Sequence, residues 1–153
     1  MLERISRSIA SRVMPRPSTS PMVIAVSGPY GSTGKTTVAI NIALELSLEK
    51  ARVLLIDADT LGPSVANHFL LSEQPPGLGA ALRISNQERF DLEQLERVSF
   101  PFQKSSLRIM PGSQSLRGQS FEESTISSML AIARQGFDYT VVDLTGVAPE
   151  DQS

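Results

Sequence analysis

The sequence predicts an α/β fold, a parallel β-sheet covered by helices on both faces, and three observations predict it. Short apolar runs alternate with helix-patterned segments along the body of the chain. The runs are near-continuously apolar rather than alternating, which marks strands buried on both faces. A glycine-bearing loop lies between the first run and the first helix-patterned segment, and two later runs end on aspartate.

The first strand is expected at about 22–27, where Met22-Val23-Ile24-Ala25-Val26 reads as a buried strand. A helix is expected over about 35–49, with Val38, Ile40, Ile42, Leu44, Leu46 and Leu48 as its apolar residues. Arg52–Asp57 reads as the second strand. Gly77–Ile84 and Asp91–Val98 read as short helices about a polar turn. A third strand at Leu107–Met110 closes on Pro111-Gly112. Ser120 and Glu123 have the spacing of a capping box, opening a helix that runs to about Gln135 with Gly136 as its C-cap. Tyr139–Asp143 is the fourth strand.

The chain has 153 residues, enough for one domain with a real core. It contains no cysteine, which excludes a disulfide framework and any thiolate metal site built from this chain alone. The single histidine, His68, cannot build a metal site and reads as a surface or partly buried residue after the second strand. No apolar run approaches the ~18 residues of a bilayer span, and no signal-peptide core is present, so a cytoplasmic protein is the default. The net charge of −2 is unevenly spread. Residues 1–21 carry Arg4, Arg7, Arg12 and Arg16 against Glu3, whereas the body is acidic, so no specific nucleic-acid partner is expected.

Two domains of behaviour follow: a basic arm and Pro/Ser linker over 1–21, and a nucleotide-binding body over 22–153. In the arm, Leu2, Ile5, Ile9 and Val13 recur at helical spacing opposite Arg4 and Arg7. Three readings stay open: a membrane-surface helix over 1–14 that would bring the protein to the inner face of the membrane, an organellar transit segment, and a plain solvated tail.

The loop between the first strand and helix carries the chemistry. A strand, a glycine-bearing loop ending in Gly34-Lys35-Thr36, and a helix make a phosphate-binding P-loop. Backbone N–H groups and the positive end of the helix surround phosphate oxygens. Gly31, Ser32, Thr33, Gly34, Lys35, Thr36 and Thr37 are the expected nucleotide contacts; Lys35 would reach the β- and γ-phosphates and Thr36 would ligate Mg²⁺. Such a loop needs carboxylates at neighbouring strand ends to position Mg²⁺ and the attacking water. Asp57 and Asp59 end the second strand and Asp143 ends the fourth. Ligands of open α/β sheets bind at those ends.

The loop departs from the general G-x-x-x-x-G-K-[ST] pattern, because Pro29 stands at the first glycine. It resembles the deviant P-loop of the MinD/ParA superfamily, K-G-G-x-G-K-[ST], at Gly31, Gly34, Lys35, Thr36 and Thr37, over roughly residues 22–148. Ser32 replaces that pattern's second glycine and Tyr30 its signature lysine, which in the superfamily reaches a dimer partner's nucleotide. Asp57-Ala58-Asp59 followed by Gly62-Pro63-Ser64 is similar to the Mrp-type iron–sulfur carriers, which use a distal C-x-x-C this chain lacks. The bacterial tyrosine-kinase module is echoed too, with Leu61 for its arginine and Thr145 for its proline. The linker and missing lysine resemble the CpaE/TadZ type that positions pilus machinery.

The resemblance implies ATP with Mg²⁺, and a body that reads as the N-terminal part of a larger domain. Lys35, Asp59 and Asp143 are the expected catalytic residues, Asp59 orienting the attacking water. Thr36, Asp57 and Asp143 are expected at the metal, Asp57 supporting either Mg²⁺ or the switch geometry. The expected function is an ATPase switch in cellular positioning or pilus assembly, with protein partners. Two alternatives are a scaffold that binds nucleotide and barely hydrolyses it, and the tyrosine-kinase module. The oligomeric state stays open.

Overall fold

A computed structural model of the chain describes residues 20–29, 31, 33–71, 76–85 and 90–146. The arm over 1–14, Tyr30 and Ser32 lie outside the described residues, and so do the expectations attached to them.

The elements run β1 (Met22–Val26), α1 (Lys35–Leu48), β2 (Val53–Ala58), α2 (Val65–His68), α3 (Gly77–Ser85), α4 (Leu92–Arg97), β3 (Phe100–Pro101), β4 (Leu107–Met110), α5 (Glu123–Gly136) and β5 (Tyr139–Leu144), with a 3₁₀ turn at Gln114–Leu116. They form one five-stranded sheet in the order β1-β5-β2-β4-β3. The ladders β1–β5, β5–β2 and β2–β4 are parallel, as the apolar runs predict. The short β3 is antiparallel to β4 and was not expected. Its Pro101 is tolerated because an edge strand need not donate on its outer side.

Each face of the sheet has its own core. Leu54, Ile56 and Met110 point to the face covered by α3, α4 and α5, where Leu78, Leu95, Met129 and Phe137 pack. Val53, Leu55, Ile109 and Val141 point to the other face, covered by α1 through Ala39, Ile40 and Ala43. Val53–Ile56 are fully buried because successive residues serve opposite faces, both covered.

Three expectations needed correction, and α1 buries a different set of residues from its apolar ones. β1 is not a buried strand: among the described residues it pairs only with β5, so Met22 is 50% exposed and Ala25 is exposed. In α1, Val38 and Leu48 are 50% and 73% exposed. The apolar residues there recur every second position, and no helix face can collect that spacing. The buried set Ala39, Ile40, Ala43 and Ser47 follows the 3.6-residue period instead. The capping box does not form: Ser120 is exposed, and α5 opens after Glu122 without a side-chain cap. Gly136 is the last helical residue rather than a C-cap, and its role is steric, since a Cβ there would sit 2.4 Å from Leu92 Cδ1. Asp91 does cap α4, its Oδ1 accepting from the Gln94 amide at 2.9 Å.

Candidate functional site

The ladders align three strand ends. Val26 is in register with Asp143, and Asp143 with Asp57. The loops leaving β1, β2 and β5 therefore emerge side by side at the carboxyl edge of the sheet. Between them lies an open cleft of about 290 Å³ lined by Gly31, Lys35, Asp59, Leu61, Gly62, Thr145 and Gly146. Lys35, Asp59 and Gly31, expected at the site from sequence, thus share one cavity.

The phosphate loop takes its form from its glycines. Gly31 and Gly34 have φ of +73° and +100°, and nothing lies within 4 Å of where a Cβ would stand on either. The left-handed backbone is what requires glycine here, and the space beside it stays open. Gly34 occupies the N-cap position of α1, and its carbonyl accepts from the Val38 amide at 2.8 Å. Lys35, Thr36 and Thr37 form the helix's first turn, whose N–H groups have no intrahelical acceptor. No acidic side chain occupies that turn, and the positive end of a helix dipole favours an anion. Thr33 is exposed within the loop, and Thr36 is half-buried.

Asp143 is fully buried, and neither carboxylate oxygen has a hydrogen-bond partner of ordinary geometry among the described residues. Burial pushes its pKa up, and the charge of Asp59 adds to this; the Thr36 hydroxyl and the Lys35 ammonium pull the other way. A buried, unsatisfied carboxylate costs several kcal/mol unless something compensates it. A cation held by Asp143 and the Thr36 hydroxyl would do so, and these are hard oxygen donors suited to Mg²⁺. The described residues contain no cluster of three or more His, Cys, Asp or Glu with metal-binding geometry. Mg²⁺ usually takes one or two protein oxygens and completes its shell with phosphate and water. The Ser64 hydroxyl donates toward Thr36 Oγ1 at 3.4 Å, tying the loop after β2 to the first turn of α1.

Asp57 serves another purpose. Its Oδ2 accepts from the amides of Ser64 at 2.9 Å and Val65 at 3.0 Å, and its Oδ1 from the amide of Asp59 at 3.2 Å. Of the two roles expected for it, these bonds serve the loop geometry. Burial raises its pKa to about 6 against the pull of those amides, and the negative charge of Asp143 adds to the rise. Gly112 closes in behind it, where a Cβ would stand 3.1 Å from Asp57 Cγ and 2.6 Å from Pro63 Cβ.

Asp59 Oδ1 accepts from the amides of Leu61 and Gly62, each at 3.0 Å. The Thr60 amide donates to Thr145 Oγ1 at 2.9 Å. Every backbone N–H from Asp59 to Val65, Pro63 aside, therefore ends on a side-chain oxygen. Sequence reasoning placed the aspartates but missed Ser64 and Thr145; the one signal for Thr145 was its departure from a proline. His68 is exposed on α2, with Nδ1 3.0 Å from the Ser64 carbonyl oxygen, and belongs to that loop's support.

Comparison with known proteins adds an independent line. A family model described as ParA, NUBPL iron-transfer P-loop NTPase, matches residues 20–145. An iron–sulfur cluster carrier protein of Deinococcus radiodurans is 37% identical over 125 residues, covering 80% of this chain and 33% of that protein. The chain thus spans about one third of the length of that curated relative. A ParA family ATPase from Chlorobium tepidum TLS superposes with a TM-score of 0.68 at 23% identity, over 88% of this chain and 54% of the other. A plasmid partition protein from Borrelia burgdorferi B31, solved bound to AMPPNP, gives 0.62 at 25% identity, over 82% and 52%.

Proposed function

The chain belongs to the ParA family of P-loop NTPases, and from that premise we propose that it is the nucleotide-binding part of an ATP-dependent switch. The observation that carries the reading is Asp143, a fully buried carboxylate with no hydrogen-bond partner of ordinary geometry among the described residues, within the influence of the Thr36 hydroxyl and of Lys35, which lines the cleft. Mg²⁺, when bound there by Thr36 and Asp143, would neutralise charge on the β- and γ-phosphates. Backbone N–H groups of Gly31 and of Thr33–Thr37 would surround the phosphates, Ser32 stays a contact proposed from the sequence, and Lys35 would neutralise the β- and γ-oxygens. Asp59 orients the attacking water. Among the described residues its hydrogen bonds converge on Oδ1, which leaves Oδ2 for that water. Asp57 holds the loop that carries Asp59.

The biological setting differs from the one expected from sequence. A positioning or pilus-assembly role finds no support among the relatives, which are named iron–sulfur cluster carriers. We therefore favour a nucleotide module of the carrier kind. With no cysteine of its own, the chain would work alongside thiolates supplied by a partner or another segment, and the cluster would be cargo rather than a resident group. The nucleotide-binding body is residues 22–153 in this reading, with 1–21 as an arm, and a cytoplasmic setting supplies its ATP. No described helix is long and apolar enough to cross a membrane.

Isothermal calorimetry with ATP, with and without Mg²⁺, followed by single-turnover hydrolysis, tests the reading. Magnesium-dependent binding and slow turnover are expected, and absence of binding in the full-length protein would refute it. Binding without turnover would leave the scaffold alternative in its place.

A further inference from the structure

Thr145 sits where the loop after β5 meets the loop after β2. Its hydroxyl accepts from the Thr60 amide at 2.9 Å. That hydroxyl has a single proton to give, and three oxygens lie within reach of it: Asp59 Oδ1 at 3.3 Å, the Ala58 carbonyl at 3.4 Å and Thr60 Oγ1 at 3.4 Å. Asp59 and Thr60 open the loop after β2, and Ala58 is the last residue of β2 itself. One side chain therefore satisfies a backbone donor of that loop and shares its own proton with the loop's acceptors. Asp59 Oδ1 in turn holds the Leu61 and Gly62 amides. Thr145, Asp59, Leu61 and Gly62 all line the nucleotide cleft. No proline or valine could make this connection, since it needs a hydroxyl at that position.

We propose that Thr145 is a positioning residue, a latch that fixes Asp59 and ties the loops after β2 and β5 into one unit. Its action on hydrolysis rests on the nucleotide reading above; the latch itself does not. The two loops would move together when the γ-phosphate leaves, because displacing one breaks the hydrogen bonds that shape the other. The two side-chain oxygens meeting there, Thr145 Oγ1 and Asp59 Oδ1, carry three of the loop's backbone amides between them.

The test uses the full-length protein and two variants. Thr145→Val keeps the shape and removes the hydroxyl, and Thr145→Ser keeps the hydroxyl. Amide hydrogen exchange without nucleotide reads the latch directly: in Thr145→Val, exchange at Thr60, Leu61 and Gly62 should quicken about tenfold, while Thr145→Ser stays near wild type. In ATP turnover, Thr145→Val should lower kcat about tenfold with KM within about twofold, and Thr145→Ser should restore most of it. Unchanged exchange at Thr60 in Thr145→Val overturns the latch. Faster exchange with unchanged kcat overturns the positioning role. If the wild-type protein fails to bind ATP, the nucleotide reading falls, and exchange alone still decides the latch.

Discussion

Across the cleft, the loop after β2 and the loop after β1 face each other, and they are held in contrasting ways. From Asp59 to Val65 every backbone N–H except that of Pro63, which has none, is taken by an oxygen of Asp57, Asp59 or Thr145. The phosphate loop is shaped instead by left-handed glycines, with open space beside them. The first loop has settled its own backbone N–H groups, so it has few amide donors left to offer an anion. The second keeps the room a phosphate needs. In the proposed function, preorganisation on one side of the site and receptivity on the other would divide the labour: one would place a water, the other would take the anion.

Several measurements would break or sharpen that contrast. The largest effect is expected at Asp57. Asp57→Ala strips three amides of their acceptor in a buried place and should cost about 3 kcal/mol of stability, read by urea unfolding. A loss below about 1 kcal/mol would mean that the loop after β2 is not held as described.

Lys35→Ala is the counterpart on the receptive side. It should cost less stability than Asp57→Ala and weaken ATP binding by about 1.5–3 kcal/mol, one or two decades in affinity. Destabilisation as large as that of Asp57→Ala would erase the distinction between the two loops.

A pH series sharpens the comparison further. Asp57 has its pKa raised from 3.8 to about 6, chiefly by burial. The folded chain therefore holds this proton more tightly than the unfolded one. Its contribution to stability is fully present below about pH 4 and is lost as pH rises through about 6. The size should be on the order of 1–2 kcal/mol, under the ceiling of about 3 kcal/mol that a two-unit shift sets. The difference in unfolding free energy between the wild-type and Asp57→Asn proteins, followed without nucleotide from pH 4 to 7, should fall over that window. A difference that stays flat would contradict the burial argument.

The smallest effect belongs to Gly31→Ala. With nothing near the new methyl group, its cost is only that of the left-handed backbone, about 1 kcal/mol. Gly112→Ala should cost more, because there the methyl group meets Pro63 and Asp57. Thermal unfolding of the pair should rank them in that order, and the reverse ranking would show that the phosphate loop is the more tightly packed of the two.

Much of this was legible in the chain itself. The parallel sheet announces itself because strands buried on both faces need unbroken apolar runs, and Val53–Ile56 is one. The three aspartates could be placed because a strand end is also a ligand-facing edge. What stayed hidden depends on neighbours. Nothing local to Met22–Val26 says that it pairs on one side only. The two-residue β3 carries no periodicity, so only its partner β4 reveals it. Ser120 and Glu123 had capping spacing, but the helix begins at Glu123 and leaves Ser120 outside. Thr145 and Thr60 are far apart in sequence, and no pattern in either segment announces their hydrogen bond.

The position of β1 also bears on how the molecule opens. Met22 pairs with Tyr139, so nearly all of the described chain lies between the partners of this ladder. Contacts of that span close late in folding. Among the described residues, β1 has one neighbour, whereas β5 and β2 each have two. Lifting β1 away would, among the described residues, break a single ladder and carry the phosphate loop with it. The amides of β1 should then exchange through a partial opening, ahead of those of β2 and β5 in the same sheet. Occupancy of the site by nucleotide would oppose that opening by mass action, so the ligand would govern the last part of the sheet to assemble.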